Sequence, residues 1–202
     1  MITAAQALER LKEGNSRFVS GTGTRDLSSD HRRRLELVDN QAPFAIVHGC
    51  SDSRVPAEIV FDQGLGDLFV IRVAGNIVAP SHIGSIEFAA ERFGTRLVVV
   101  LGHSQCGAVQ ACLEELERPS TNGSPNLGFI VNAIRPSLEP LLKRHRGNPK
   151  RLVEEAVEEN IRASVEHLRH GSAVLEGLIH SSGLMIVGAE YSLETGIVTF
   201  LE

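Results

Sequence analysis

Four stretches of the chain are short, apolar and rich in β-branched residues: FAIVHGC (44–50), LFVIRVAG (68–75), RLVVVLGH (96–103) and GLMIVGAEYSL (183–193). Their hydrophobicity is nearly continuous where a half-exposed strand would alternate, which is the pattern of strands covered on both faces. Between them the spacing becomes helical. In SHIGSIEFAAERFG, Ile83, Ile86, Ala90 and Phe93 recur at helical spacing and Gly94 supplies the stop. The stretch from Arg151 to His180 predicts one or two amphipathic helices with an acidic first part. Strand alternating with helix implies right-handed crossovers and a parallel sheet. The tail GAEYSLETGIVTFLE sets two strand-like runs around LETG, a hairpin signal that predicts an antiparallel edge strand. The predicted fold is a three-layer α/β arrangement: a mainly parallel sheet of four strands with an added antiparallel edge strand, and helices on both faces.

Punctuation refines this only slightly. ERPSTNGSPNLG (117–128) is the one turn-rich stretch and predicts a surface loop, and DQGLGDLF (62–69) reads as a turn before a strand, since it lacks the Lys-Ser/Thr ending of a phosphate loop. With 202 residues, 42% of them hydrophobic, the chain suits one domain over 1–202, with an N-terminal helical arm over about residues 1–40.

Charge and composition mainly exclude. The formal net charge is −5, and the basic runs HRRR (31–34) and KRHR (143–146) read as solvated helix faces; with no Trp and one Tyr there are few platforms for stacking bases, so no nucleic-acid partner is expected. No membrane partner is expected either, because no segment reaches the length of a span, and the charged N-terminus does not read as a signal peptide. Three cysteines fit a reducing, cytoplasmic setting in which thiols serve as ligands, nucleophiles or core residues.

Two of those cysteines carry the chemistry. Cys50 closes the first strand run, and GHSQCG places His103 and Cys106 at the end of the third. In an open parallel sheet, ligands bind beyond the carboxyl ends of strands where the winding reverses, so neighbouring first and third strands would bring the three side chains together. Two thiolates and an imidazole favour Zn²⁺, one per chain, and three protein ligands leave a tetrahedral position open for catalysis. Two thiolates also neutralise the metal's charge, so the site needs help in acidifying water. Asp52 and Arg54 follow Cys50 at alternate positions; in an extended chain all three would project to one side, with Arg54 holding Asp52 ionised as a latch on a carboxylate gate. Cys112 reads as core, and His48, His82 and His180 as satisfied or solvent-facing histidines.

CSDSRVPAE followed by GHSQCGAV resembles the β-class carbonic anhydrases, and KEGNSRFVSG, AEIVFDQGLGDLFVIRVAGN and GLMIVGAEYSLETG extend the resemblance to bacterial members over most of the chain. The resemblance implies that Cys50, His103 and Cys106 bind zinc, that Asp52 is a further potential ligand paired with Arg54, and that zinc-bound hydroxide converts CO2 to bicarbonate. It also implies a dimer or tetramer with active sites at the subunit interface, and a substrate pocket that includes Gln41, Phe69, Phe88 and Gly107. Phe88 stands where the family often has a tyrosine. Val47 stands where members with a regulatory bicarbonate pocket carry a tryptophan, while Arg72 matches the family's arginine on the second strand. Two other readings stay open here: the same fold hydrolysing carbonyl sulfide or carbon disulfide, and a non-catalytic zinc module in which Asp52 fills the fourth position.

Overall fold

The computed structural model describes residues 2–23, 30–119, 124–145 and 147–201. Its sheet has the order β2-β1-β3-β4-β5, built from β1 (Ala45–Gly49), β2 (Leu68–Arg72), β3 (Leu97–His103), β4 (Met185–Tyr191) and β5 (Val198–Leu201). The first four are parallel and β5 is antiparallel to β4, as the hydrophobic pattern predicts. The chain lays β2 on one side of β1 and then crosses to lay β3 on the other, so the winding reverses between β1 and β3.

Eight helices surround the sheet among the described residues: α1 (Ala4–Ser20), α2 (Asp30–Glu36), α3 (Ala57–Val60), α4 (Pro80–Arg92), α5 (Gly107–Glu117), α6 (Pro125–Arg144), α7 (Pro149–His170) and α8 (Ala173–Ser182). Alternate strand residues serve two separate cores. Ile46, Val98, Val100 and Ile186 pack under α4, α5, α6, α7 and α8. Ala45, Val47, Leu97, Val99, Leu101 and Ala189 pack under α1 and α3. Every residue of β3 is buried, which is why its sequence shows no alternation.

The N-terminal helix is fastened to the sheet by polar bonds as well as by packing. Asn15 donates to the carbonyls of Val60 and Gly196 at 3.1 and 2.9 Å and accepts from Val198 N–H at 2.9 Å. On the opposite face, α7 is seated by one residue: a Cβ at Gly102 would lie 2.5 Å from Ile161 Cδ1, and one at Gly188 2.8 Å from Ile161 Cγ2. The two glycines make the groove that receives Ile161.

Several predicted boundaries shift. The second strand run stops at Arg72, because Ala74–Asn76 form a 3₁₀ turn with Gly75 at φ 70°. The segment 151–180 is two helices, parted at Gly171 and Ser172, whose hydroxyl caps α8 by accepting from Leu175 N–H. The expected loop over 117–128 is shorter, since α5 runs to Glu117 and α6 begins at Pro125, a proline well suited to a first helical turn; residues 120–123 lie outside the described ones. Arg32 to Arg34, Lys143 and Arg144 are exposed as expected, but His145 is tucked in against Glu155 rather than solvated, and the side chain of His31 and all of Arg146 lie outside what is described. No helix among the described residues is long and apolar enough to cross a membrane.

Candidate metal centre

Where β1 and β3 part, Cys50, His103 and Cys106 converge, their ligand atoms all within 4.8 Å of one another and all three residues buried. Cys50 follows directly on β1. His103 ends β3, and a tight turn with Gln105 at φ 55° folds the chain back so that Cys106 stands at the N-terminus of α5. The turn is fixed from the neighbouring strand: Ser104 N–H donates to Tyr191 O at 3.0 Å and Ser104 Oγ accepts from Leu193 N–H at 3.0 Å. The H-x-x-C spacing thus becomes two side chains aimed at one point.

These residues fit a zinc ion. Donors sharing one tetrahedral Zn²⁺ stand about 3.5–4 Å apart, close to what the cluster presents. His103 Nδ1 lies 2.9 Å from Ser104 O, which holds the proton on Nδ1 and leaves Nε2 as an acceptor. That Nε2 is buried and makes no well-formed hydrogen bond among the described residues, facing the Cys50 sulfur and, at 3.8 Å, Asp52 Oδ2, an arrangement that a Lewis acid set among these groups would complete. The Cys106 thiol donating to Cys50, helped by His103 and by backbone N–H groups of Gly75 and Asp52, holds the Cys50 sulfur well below the ordinary thiol range, to about 4. The same bond, with burial, pushes Cys106 up. The pair therefore carries a thiolate at neutral pH. For His103, burial pulls downward, but the Cys50 sulfur and the charge of Asp52 outweigh it and the net direction is up.

Asp52 and Arg54 meet beside this cluster, but not by the route the sequence suggests. The chain does not stay extended past Cys50. It turns, with Val55 N–H donating to Asp52 O at 3.0 Å and Arg54 N–H to Asp52 Oδ1 at 3.0 Å. An aspartate readily accepts from the backbone two residues on, and that local bond competes successfully with extension. The turn lets Arg54 grip the carboxylate at two points, Nε to Oδ1 at 2.9 Å and Nη2 to Oδ2 at 2.7 Å. Arg54's side-chain bonds hold Asp52 far below the usual carboxylate range, so it is ionised. Asp52 Oδ2 is 3.8 Å from His103 Nε2.

Arg72 reaches the same loop, donating to Cys50 O at 2.9 Å and to Asp52 O at 2.6 Å. This clamp, which spacing alone could not show, commits the guanidinium to holding the loop backbone; Val47 is core, packed with Leu68 and Val70 on the face of the sheet that α1 and α3 cover. Gly107 is exposed, and a Cβ built on it meets nothing within 4 Å, so space opens beside Cys106. Phe69 and Phe88 form an aromatic cluster with Phe93 on the flank of β2, and Phe88 is 53% exposed. Gln41 is exposed and borders a groove with Leu37, Val38, Arg92 and Phe93, whose lining includes none of Cys50, His103 and Cys106.

The remaining candidates resolve simply. Cys112 is fully buried in the core. His48 is neither solvent-facing nor fully satisfied: it is buried with Nε2 against the carbonyls of Asn76 and Ile77 while Nδ1 makes no hydrogen bond among the described residues, and burial lowers it to about 4, so it is neutral. His82 Nδ1 accepts from Ala79 N–H at the start of α4, and His180 Nδ1 lies 2.7 Å from Glu176 O within α8. Of residues the sequence did not single out, Gly75 donates its N–H to Cys50 Sγ, and Asn160 and Ser164 bond the carbonyls of Gly75 and Asn76 behind it.

Comparison with known proteins adds family to geometry. Residues 45–198 match the family model described as carbonic anhydrase. Carbonic anhydrase 2 of Mycobacterium tuberculosis is 40% identical over 191 residues, covering 94% of this chain and 89% of that protein. The carbonic anhydrase of Mycolicibacterium smegmatis is 40% identical over 195 residues, covering 95% and 90%. Among solved structures, the β-carbonic anhydrase CafA of Aspergillus fumigatus superposes with a TM-score of 0.77 at 26% identity, covering 98% of this chain and 90% of that one.

Proposed function

The chain belongs to the β-class carbonic anhydrases, enzymes of CO2 hydration, and from that premise we propose that it interconverts CO2 and bicarbonate at a zinc site held by Cys50, His103 and Cys106 and gated by Asp52 and Arg54. The observation that carries the reading is the buried His103 Nε2, without a well-formed hydrogen bond among the described residues, gathered with two cysteine sulfurs and with an ionised carboxylate alongside. When bound, zinc would supply the Lewis acidity that makes water nucleophilic near neutral pH.

The protein's own groups do the rest. Asp52 Oδ2 accepts a hydrogen bond from the reacting water and turns a lone pair of that water towards CO2. Arg54 keeps the carboxylate charged and turned to its guanidinium, so that Asp52 does not fill the fourth position as it would in a non-catalytic module; the two-point grip favours this open arrangement. Gly107 leaves room for the substrate beside Cys106. Stopped-flow CO2 hydration tests the reading: we expect activity that a zinc chelator abolishes and added zinc restores, and hydration indifferent to the chelator would overturn it.

The chain is further proposed to work as a dimer or tetramer in a reducing compartment such as the cytoplasm, where its three free thiols are stable. In this arrangement Gln41 and the exposed Phe88, with Phe69, wall a pocket completed by a second copy. Sedimentation at micromolar concentration is expected to give at least a dimer; a fully active monomer would sink this assignment.

A further inference from the structure

The Cys50 sulfur is served by a donor that belongs to neither β1 nor β3. Gly75 N–H donates to Cys50 Sγ at 3.3 Å in a buried setting where water cannot compete. Only glycine suits this position: φ is +70°, and a Cβ would lie 2.8 Å from Ile134 Cδ1 and 2.9 Å from Ala108 Cβ. The turn that carries this N–H leaves the sheet at Val73, whose N–H donates to Gly49 O at 3.1 Å and whose carbonyl accepts from Ser51 N–H at 3.2 Å and from Asn76 N–H at 3.1 Å.

The turn is also held from α7. Asn160 Nδ2 donates to Gly75 O at 2.8 Å, and Ser164 Oγ donates to Asn76 O at 3.1 Å. The two residues are 3% and 5% exposed and lie one helical turn apart on the same face, so they act on the 74–76 turn together. Ile161, seated between Gly102 and Gly188, fixes the helix that carries them. A buried asparagine costs desolvation that a leucine would not, unless its amide is used. Here the amide is spent on the carbonyl of the residue whose N–H faces the sulfur.

We propose that Asn160, supported by Ser164, is a positioning residue of the metal centre: by holding the Gly75 carbonyl it fixes the backbone of Gly75 at φ 70°, the conformation in which that residue's N–H, part of the preceding peptide, donates to the Cys50 thiolate and draws electron density from it. The proposal rests on the zinc reading above. It answers the difficulty that two thiolates neutralise the metal: a hydrogen bond to one sulfur weakens its donation and leaves the cation a stronger Lewis acid, as outer partners of metal ligands do elsewhere.

The test is made on the full chain loaded with Zn²⁺ for affinity and with Co²⁺ for spectroscopy. In Asn160→Leu, apparent zinc affinity by chelator competition is expected to fall about tenfold, and the sulfur-to-cobalt charge-transfer band to move to longer wavelength, because a sulfur stripped of its donor gives up an electron more easily. Ser164→Ala should move both in the same direction by less. Thr95→Val removes another buried bond, Thr95 Oγ1 to Pro43 O at 2.7 Å, and should cost stability while leaving affinity and band unchanged. Wild-type affinity and an unmoved band in Asn160→Leu would overturn the proposal. If that variant does not fold, an unmoved band in Ser164→Ala overturns it alone. A wild-type chain that fails to bind zinc would instead sink the zinc reading, so the two failures are distinct.

Discussion

Cys106→Ser is expected to lose zinc and, with it, nearly all CO2 hydration. A serine hydroxyl is not ionised at neutral pH, so the substitution removes one of two anionic ligands while changing the buried volume little. Structural zinc sites of this size hold about 10–16 kcal/mol of apparent binding energy, so deleting one ligand costs on the order of a thousandfold in affinity. Metal analysis after dialysis reads the loss directly. Cys112→Ala is the matched comparison: that thiol is buried in the core away from the cluster, and its Sγ lies 3.5 Å from Val131 O. It should lower stability by about 1–2 kcal/mol as a small core truncation and keep full zinc and activity. Zinc retained by Cys106→Ser would remove Cys106 from the site.

Arg54→Ala comes second in expected effect, because it frees a carboxylate that already stands 3.8 Å from His103 Nε2. Among the described residues, two of the three hydrogen bonds to the Asp52 carboxylate disappear, and only that from the Arg54 backbone N–H remains. The carboxylate is then free to turn to the metal position and close it, and kcat/KM is expected to fall about a hundredfold or more, the scale of a misplaced catalytic group. Zinc content should stay at one per chain or rise in affinity, which separates this loss from that of Cys106→Ser. Arg54→Lys should recover only part of the activity, since an ammonium cannot reproduce the two-point grip. Arg144→Ala, an exposed arginine 3.7 Å from Glu155, should stay within about twofold of wild type, as for most surface ion pairs. Equal, small effects at Arg54 and Arg144 would remove the latch.

What the amino-acid order determined was mostly local or periodic. Strands buried on both faces cannot alternate, so β1 and β3 were legible as unbroken β-branched runs; β4 is only partly covered and β2 keeps some exposure at every residue, against the expectation that all four strands are covered on both faces, and Gly196, at φ 77°, marks the hairpin that sends β5 back antiparallel. The ligand set was legible because sulfur and imidazole at strand ends have few other uses in that combination. The pairing of Asp52 with Arg54 was legible as a pair but not as a geometry: alternation suggested an extended chain, and a side chain bonding its own backbone produced a turn. Only the tertiary structure decided that β1 and β3 are neighbours, which makes one site of Cys50 and His103 across 53 residues of chain. It also decided what surrounds the sulfurs. The Arg72 clamp, the Gly75 N–H and the Asn160 amide act across |i−j| of 22, 25 and 85. Such contacts carry no spacing signal, because they depend on where Ile161 seats α7 against two glycines of the sheet. Packing, by placing one helix within a hydrogen bond's length of a turn, chose the partners of the metal ligands.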